Sequence, residues 1–590
     1  MITKVKRDRI KFWFDIYIAV IGIITLSLFL IILGYKLNPS QIVLIKSTIN
    51  FIIITFLLQE IIRFIINLHV KNYFKNHIFE FIIVVLLSLD MSFTGTIMNV
   101  IWGINPSLNN IQVTLIYTGI LHLLIIITFF IKLLRYSYLL DKIKLHPGAI
   151  FALSFLFIII LGTILLLLPN STPTGKSISL IDSLFTSTSA VCVTGLIVLD
   201  TAKDFTFIGQ LVILFLIQTG GLGVMTLTTF FAMYLSGGTS FKIKIMMKDL
   251  LSQESLAEVR NIILKILLFT FLIESLAALI LYLSMGGSLI EIKWNLLFSS
   301  IFHSVSAFCN AGFSIYSAGL MDDTLLNNYS FYTIIMILIV LGGLGFSVLS
   351  NLFQLRNRKN NLQKLKYRLT ISTKIVLSST LILIFSGALF VFFAEPYSFN
   401  SSMGFFEKIF HSFFLSVTAR TAGFNTVPID LLTNVTIIVL LPLMWIGASP
   451  GSTGGGIKTT TISAAFLSLF NLMRGKEKVE LFHREIDSDS IKKAFLVILS
   501  SLIFLGMGVF VLVWIEPTKQ PLDLIFEATS ALGTVGLSRN LTSFLGTGGK
   551  AVIIILMFVG RIGVLTFFMA FVRNKSELHY SYPKTDIMIG

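Results

Sequence analysis

The chain has 590 residues, of which 55% are hydrophobic and only 13% charged. A soluble domain of ordinary composition carries about 25% charged residues, so a soluble globular protein and a disordered scaffold are both excluded. The formal charge of +16 lies in short links between apolar runs, where it reads as membrane topology and not as a nucleic-acid footprint.

From the N-terminus, Lys4, Lys6, Arg7, Arg9 and Lys11 precede an apolar run from Phe12 to about Gly34. That run is too long for a signal-peptide core, so it is expected to stay as a first helix. Further runs lie near 42–67, 79–103, 112–134, 149–169, 207–235, 261–285, 331–354, 372–394, 433–470, 492–515 and 550–573. Each is long enough to cross about 30 Å of hydrocarbon. Alternate links are basic: Arg63 to Lys75, Lys132 to Lys144, Lys242 to Lys248, Arg356 to Lys374, Arg474 to Lys478, and Arg573 with Lys575. The opposite links are uncharged or hold Asp200, Asp204, Asp322, Asp323, Glu395, Asp430 and Glu516. Twelve spans in the lipid bilayer with both termini cytoplasmic satisfy this pattern.

The first domain, 1–146, is expected to be a four-helix membrane bundle. Its charges Glu60, Arg63, Asp90, Lys132 and Arg135 are faintly like a voltage sensor, but 112–131 lacks the several charges a working sensor needs. Residues 147–590 then form the second domain, with repeats at about 147–250, 251–368, 369–485 and 486–575 and a short cytoplasmic tail. Each repeat has an outer apolar helix, a short semi-polar segment ending in glycine, and a returning inner helix. The short segments 179–190, 297–307, 405–419 and 523–531 are helical in pattern and cannot span. They lead to Thr-Ser-Ala-Val-Cys-Val-Thr-Gly-Leu (188–196), Val-Ser-Ala-Phe-Cys-Asn-Ala-Gly-Phe (305–313), Ser-Val-Thr-Ala-Arg-Thr-Ala-Gly-Phe (416–424) and Thr-Ser-Ala-Leu-Gly-Thr-Val-Gly-Leu (529–537). The third copy is about one residue shorter and has Arg420 where the second has Cys309.

A half-helix followed by a glycine turn is a re-entrant loop, tolerated at membrane depth only where it is buried or lines a water-filled cavity. Four of them in register predict one pore. Glycine lets carbonyls turn toward an axis, and the negative ends of the half-helices aim at the same point. The expected ion-binding filter is Val193, Thr194, Gly195, Asn310, Ala311, Gly312, Thr421, Ala422, Gly423, Thr534, Val535 and Gly536. These loops hold no Asp or Glu, which disfavours calcium and favours a monovalent cation, potassium with sodium as the alternative.

The inner helices carry Gln218-Thr-Gly-Gly-Leu-Gly223, Gly342-Gly-Leu-Gly345, Gly447 to Lys458, and Gly560-Arg-Ile-Gly563. In the third, Pro450, Gly451, Gly454, Gly455 and Gly456 are expected to break the helix inside the membrane and, with Lys458, to form a movable gate. Arg561, an intramembrane charge, is expected beneath the filter, bonding to gate carbonyls or repelling cations. Gly451 to Thr459 imitates a phosphate-binding loop, but Ile457 interrupts the motif and no strand precedes it. His303 and His411 precede loops two and three and leave a membrane-embedded enzyme as a remote alternative. Neither has a carboxylate or serine partner at a catalytic spacing.

The four glycine loops, above all Ala419-Arg-Thr-Ala-Gly-Phe-Asn425, and Gly454-Gly-Gly-Ile-Lys-Thr459 resemble the Trk/Ktr/HKT superfamily of potassium transporters over about 148–575, most nearly its bacterial Ktr-type membrane subunit. Glycine at all four filter positions is similar to the potassium-permeable members. The resemblance implies a pseudo-fourfold pore within one chain, a homodimer in the bacterial inner membrane, and a cytoplasmic nucleotide-binding ring as regulatory partner. It also implies sensitivity to sodium and no covalently bound cofactor.

Overall fold

The computed structural model describes residues 147–223, 256–288, 293–326, 328–355, 369–395, 403–476, 478–482 and 484–571, together with 37–66 and scattered positions between 17 and 125. Ahead of residue 147 the one long helix among the described residues is Pro39–Ile66. Ile49, Ile53 and Phe56 on it are buried with Val113 and Leu121. The side chains of Glu60, Arg63, Asp90, Lys132 and Arg135 lie outside the described residues, as do most of the boundary segments between repeats.

The protein is an all-α polytopic membrane protein. Five described helices are long and apolar enough to cross a bilayer. Four of them, Pro147–Leu166, Leu256–Ser284, Ile371–Ala394 and Ser488–Ile515, are the outer helices of successive repeats. They expose Phe157, Phe271, Phe385 and Phe510, as surfaces facing lipid should.

Each outer helix is followed by a short pore helix: Leu180–Val191, Trp294–Phe308, Phe405–Thr418 and Pro521–Gly533. Their starts are written locally. The Ser179 hydroxyl accepts from the Asp182 N–H at 3.1 Å, and Pro521 occupies the first turn of the fourth. Inner helices Phe207–Leu222, Tyr329–Leu344, Asn434–Trp445 and Thr547–Ile562 complete the units. The carboxylates of Glu395 and Glu516, at the ends of the third and fourth outer helices, accept from the N–H groups of Thr433 (2.7 Å) and Gly546 (2.6 Å). They tie each outer helix to the start of its inner helix.

The third inner helix breaks where Pro450 and the glycines after it are expected to break it, whereas the breaks in the other inner helices depart from the sequence expectation. Runs 331–354, 433–470 and 550–573 are not single spans. The second turns through 98° after Leu344, continuing as Phe346–Leu355. The third stops at Trp445 and resumes at Thr459–Met473. The fourth breaks at Gly563 before Val564–Phe571, and the first ends at Gly223. Gly345 has φ +90°, a backbone state that side-chain-bearing residues rarely adopt. Just before the breaks, a Cβ on Gly220, Gly342 or Gly560 would overlap the carbonyl oxygen of Val191, Phe308 or Leu532. Inner helix and pore helix therefore touch backbone to backbone, as small residues permit in membranes.

Packing closes the repeats into a ring. One core joins Phe155, Phe185 and Leu216 of the first repeat to Leu512, Leu532 and Leu556 of the fourth and Phe302 of the second. A second joins Phe308 and Ile335 to Ile384 and Phe414, and a third joins Leu415 and Leu440 to Phe526 and Val535. The Lys550 ammonium meets the Asp182 carboxylate at 2.6 Å across the seam between last and first repeats. A short antiparallel hairpin, Glu480–Leu481 with Arg484–Glu485, interrupts the helical pattern between repeats three and four.

Candidate functional site

The four glycine loops meet at one axis. An ideal Cβ on Gly312 would lie 2.6 Å from the Ala422 oxygen, and one on Gly423 would lie 2.6 Å from the Val535 oxygen. One on Gly536 would strike the Thr194 oxygen, and one on Gly195 the Ala311 oxygen. Each loop thus abuts the next, and the fourth returns to the first.

The local backbone repeats with the ring. Gly195, Gly312, Gly423 and Gly536 have φ of +88°, +68°, +74° and +93°. Two positions earlier Val193, Asn310, Thr421 and Thr534 also have positive φ, between 51° and 70°. Three of these four are β-branched, for which the left-handed region costs roughly 1–2 kcal/mol. The strained pairs rotate successive peptides so that the N–H groups turn back to the pore helix. Thr194 N donates to Ser189 O (2.8 Å), Ala311 N to Ser306 O (2.7 Å), Ala422 N to Thr418 O (3.0 Å) and Val535 N to Ser530 O (2.8 Å). Hydroxyls complete the anchoring: Ser189 and Ser530 accept from Gly195 N and Gly536 N, while Ser306 and Thr418 donate to the carbonyls of Phe313 and Phe424.

The carbonyl oxygens of the twelve filter residues accept no hydrogen bond from any described residue, although eight of the twelve residues are fully buried. Buried carbonyls ordinarily have donors. A ring of oxygens without donors, each beside the neighbouring loop, leaves free lone pairs of the kind that can replace a cation's hydration shell. The Asn310 amide and Thr421 hydroxyl, 3.2 Å apart, link loops two and three.

Residues 446–458 lie against the edge at which the chain enters the filter. Gly455 N donates to Thr534 Oγ1 at 3.0 Å, and a Cβ on Gly454 would strike Thr421 Oγ1. Thr453 Oγ1 donates to Phe308 O at 3.2 Å, and Ser449 N donates to Gly343 O at 3.0 Å. Lys458 Nζ donates to Gly454 O at 2.8 Å. The Arg561 guanidinium donates to Thr453 O and to Gly220 O, so it fastens the segment to the first inner helix. One segment of the third repeat therefore reaches all four repeats. Gly451 is exposed, with φ +68° and nothing near a Cβ position, and its carbonyl accepts from Phe346 N at 3.0 Å at the bend of the second inner helix.

Two buried carboxylates escaped the sequence reading. Glu274 on the second outer helix accepts from Gln218 Nε2 at 3.0 Å and lies 3.7 Å from Cys309 Sγ. Glu527, on the fourth pore helix, is fully buried. A usable signal existed for Glu527: it precedes Gly536 by nine residues, as His303 precedes Gly312. Glu274 sits in an unbroken apolar run, and only the fold brings Gln218 and Cys309 to it.

Residues 149–579 match the family model TrkH, described as a cation transport protein. The chain belongs to the TrkH family of cation transport proteins. It is 38% identical over 455 residues to Ktr system potassium uptake protein B of Bacillus subtilis, covering 76% of this chain and 98% of that protein. It is 35% identical over 454 residues to the potassium/sodium uptake protein NtpJ of Enterococcus hirae, again covering 76% and 98%. The crystal structure of the potassium transporter TrkH from Vibrio parahaemolyticus shares the fold, with a TM-score of 0.55 and 18% identity over 71% of this chain and 83% of that one. A cation transporter is not an enzyme. His303 and His411 are hydrogen-bonded within their own repeats, to Ser299 O and Ser314 Oγ for the first and to Thr426 Oγ1 for the second.

Proposed function

We propose that this protein carries potassium across the bacterial inner membrane, down its electrochemical gradient, through the four-loop filter. The ring of buried carbonyls without donors carries this reading. Backbone oxygens from four loops can replace the hydration shell of an alkali cation, and the absence of carboxylates in the loops suits a monovalent ion. The relatives named for potassium uptake support the same ion.

The gate in this reading is 446–458, with Gly451, Gly454, Gly455, Gly456 and Lys458. Held by Arg561, it obstructs the pore on the cytoplasmic side of the filter and places the Arg561 guanidinium and the Lys458 amine there. Conduction requires it to leave Thr453 O without its Arg561 donor, while the Lys458–Gly454 bond lies within the segment and can move with it. The basic inner links fit cytoplasmic termini and a cytoplasmic nucleotide-binding ring that moves the gate, with the transporter as a homodimer. A second reading, sodium or sodium–potassium cotransport, is favoured by the name of the E. hirae relative.

Tracer rubidium uptake into proteoliposomes of the purified protein, with potassium or sodium as competitor, tests the proposal. Potassium should displace rubidium far better than sodium does. Equal displacement favours the second reading, and no uptake overturns both.

A further inference from the structure

The filter glycines fix how carbonyls turn toward the axis, but something must also hold the chain as it leaves each filter. In three repeats a side chain of the pore helix reaches over to a hydroxyl just past the filter glycine. His303 Nε2 lies 2.9 Å from Ser314 Oγ, two residues beyond Gly312. His411 Nδ1 lies 2.9 Å from Thr426 Oγ1, three beyond Gly423. Glu527 accepts from Ser538 Oγ, two beyond Gly536. The first repeat has no such strut: Ile197 stands two beyond Gly195 and is exposed, and Thr186 bonds back to Asp182 O within its own helix.

The fourth strut is the only ionisable acid of the set, and it holds the most. One carboxylate oxygen of Glu527 takes Ser538 Oγ and Arg539 N (3.2 Å), and the other takes Thr542 Oγ1 at 2.7 Å. One turn earlier on the same helix, Asp523 pairs with the Arg539 guanidinium. Ser538 and Thr542 also bond to each other at 3.1 Å. The segment after the filter is therefore laid along the pore helix by two acids, while Ser530 holds Gly536 from the other side. All the donors to Glu527 point at a side chain that is fully buried, where hydrogen bonds to charge are strong and an unmet donor is costly. Gly536 touches both the first and third loops, so a displacement of the fourth loop changes the opening that three loops share.

We infer that Glu527 is a specificity-determining positioning residue: its carboxylate holds the fourth loop at the spacing that favours potassium over sodium. The inference rests on the potassium reading above. E527Q keeps the side-chain volume but replaces one acceptor oxygen by an amide donor, against three donors. The amide oxygen can still take Arg539 N and Ser538 while the Thr542 hydroxyl rotates to accept the amide N–H, so the substitution removes the charge that strengthens these bonds and not the partners themselves.

The test uses full-length protein in proteoliposomes and reads rubidium uptake against sodium competition for wild type, E527Q, S538A, the double variant and T186V. We expect E527Q to lower potassium-over-sodium preference about tenfold, the order expected for one charge-assisted hydrogen bond. S538A should fall in the same direction, the double variant should be no worse than E527Q, and T186V should match wild type. A purely structural role would lower uptake of both ions together and leave the ratio unchanged. If E527Q does not yield a monodisperse protein, S538A and T542V decide the matter, with the same loss of preference expected. Wild-type preference in the folded variants overturns the inference alone. A wild type without preference overturns it together with the potassium reading.

Discussion

Gly195 shows how little latitude the proposed filter has. Its φ of +88° disfavours any side chain, and a Cβ there would strike the backbone oxygen of Ala311 in the neighbouring loop. A backbone oxygen cannot swing aside as a flexible side chain can. Gly195→Ser should therefore push loops one and two apart and lower rubidium-over-sodium preference about tenfold, equivalent to about 1.4 kcal/mol of differential binding. An unchanged preference in flux assays would remove Gly195 from the filter. Arg561 is the other single residue with a large expected effect. It donates to a carbonyl of the gate segment and one of the first inner helix, and a hydrogen bond to a charged group contributes about 1.5–3 kcal/mol. Arg561→Gln keeps a donor but loses the charge and the fork, so basal flux should rise about tenfold or more. Lower flux from a folded variant would mean that Arg561 assists conduction.

At the scale of elements, the pore helices and inner helices divide the labour. Pore helices are short and buried at their C-terminal ends. The first, second and fourth inner helices pack glycine against those ends and then break. In the third repeat the break is a segment of its own, stitched by Ala448 N to Gly455 O and Ile457 N to Trp445 O. Removing 452–457 would delete Gly454 and Gly455 from the floor beneath Thr421 and Thr534 while leaving both flanking helices. Flux should rise, read as faster rubidium uptake at equal protein, and a folded deletion with slower uptake would show that the segment is not the obstruction. The hairpin at Glu480–Glu485 had no legible signal. Its strands are two residues each, too short for any alternation to emerge, and Phe482 at its turn takes a positive φ without being glycine.

For the whole molecule, the ring is closed by the contact between repeats one and four, which are far apart in sequence and share a core and the Lys550–Asp182 pair. That pair is largely shielded from solvent on both sides. Removing one partner of such a pair leaves an uncompensated charge, which is more damaging than losing an exposed bridge. Lys550→Met should lower the unfolding temperature of the detergent-purified protein, and Lys550→Met with Asp182→Asn should recover part of the loss. If the double variant is no more stable than the single one, the pair does not fasten the seam.

Much of this architecture could be read without coordinates because membrane physics leaves few options. Apolar runs about 20 residues long must be helices, and glycine in register marks the turns. The pore-helix limits and the positive φ at all four filter glycines follow from the same local signals. What the linear pattern could not supply was anything that depends on which surfaces meet. Val193, Thr421 and Thr534 adopt a left-handed backbone against their own preference, because the surrounding loops and helices leave no other arrangement. Glu274 and Glu527 become buried polar hubs only once other segments bring donors to them. The inner helices break at Gly345 and Gly563 where glycine permits a positive φ, and at Gly345 the backbone of Pro450 and Gly451 packs directly against the turn. Composition and periodicity thus determined that this chain is a helical membrane protein with recurring glycine-ended loops. Tertiary contact alone decided which carbonyls lack donors and which segment covers them, since an unpaired oxygen is defined by its neighbours and not by its own residue.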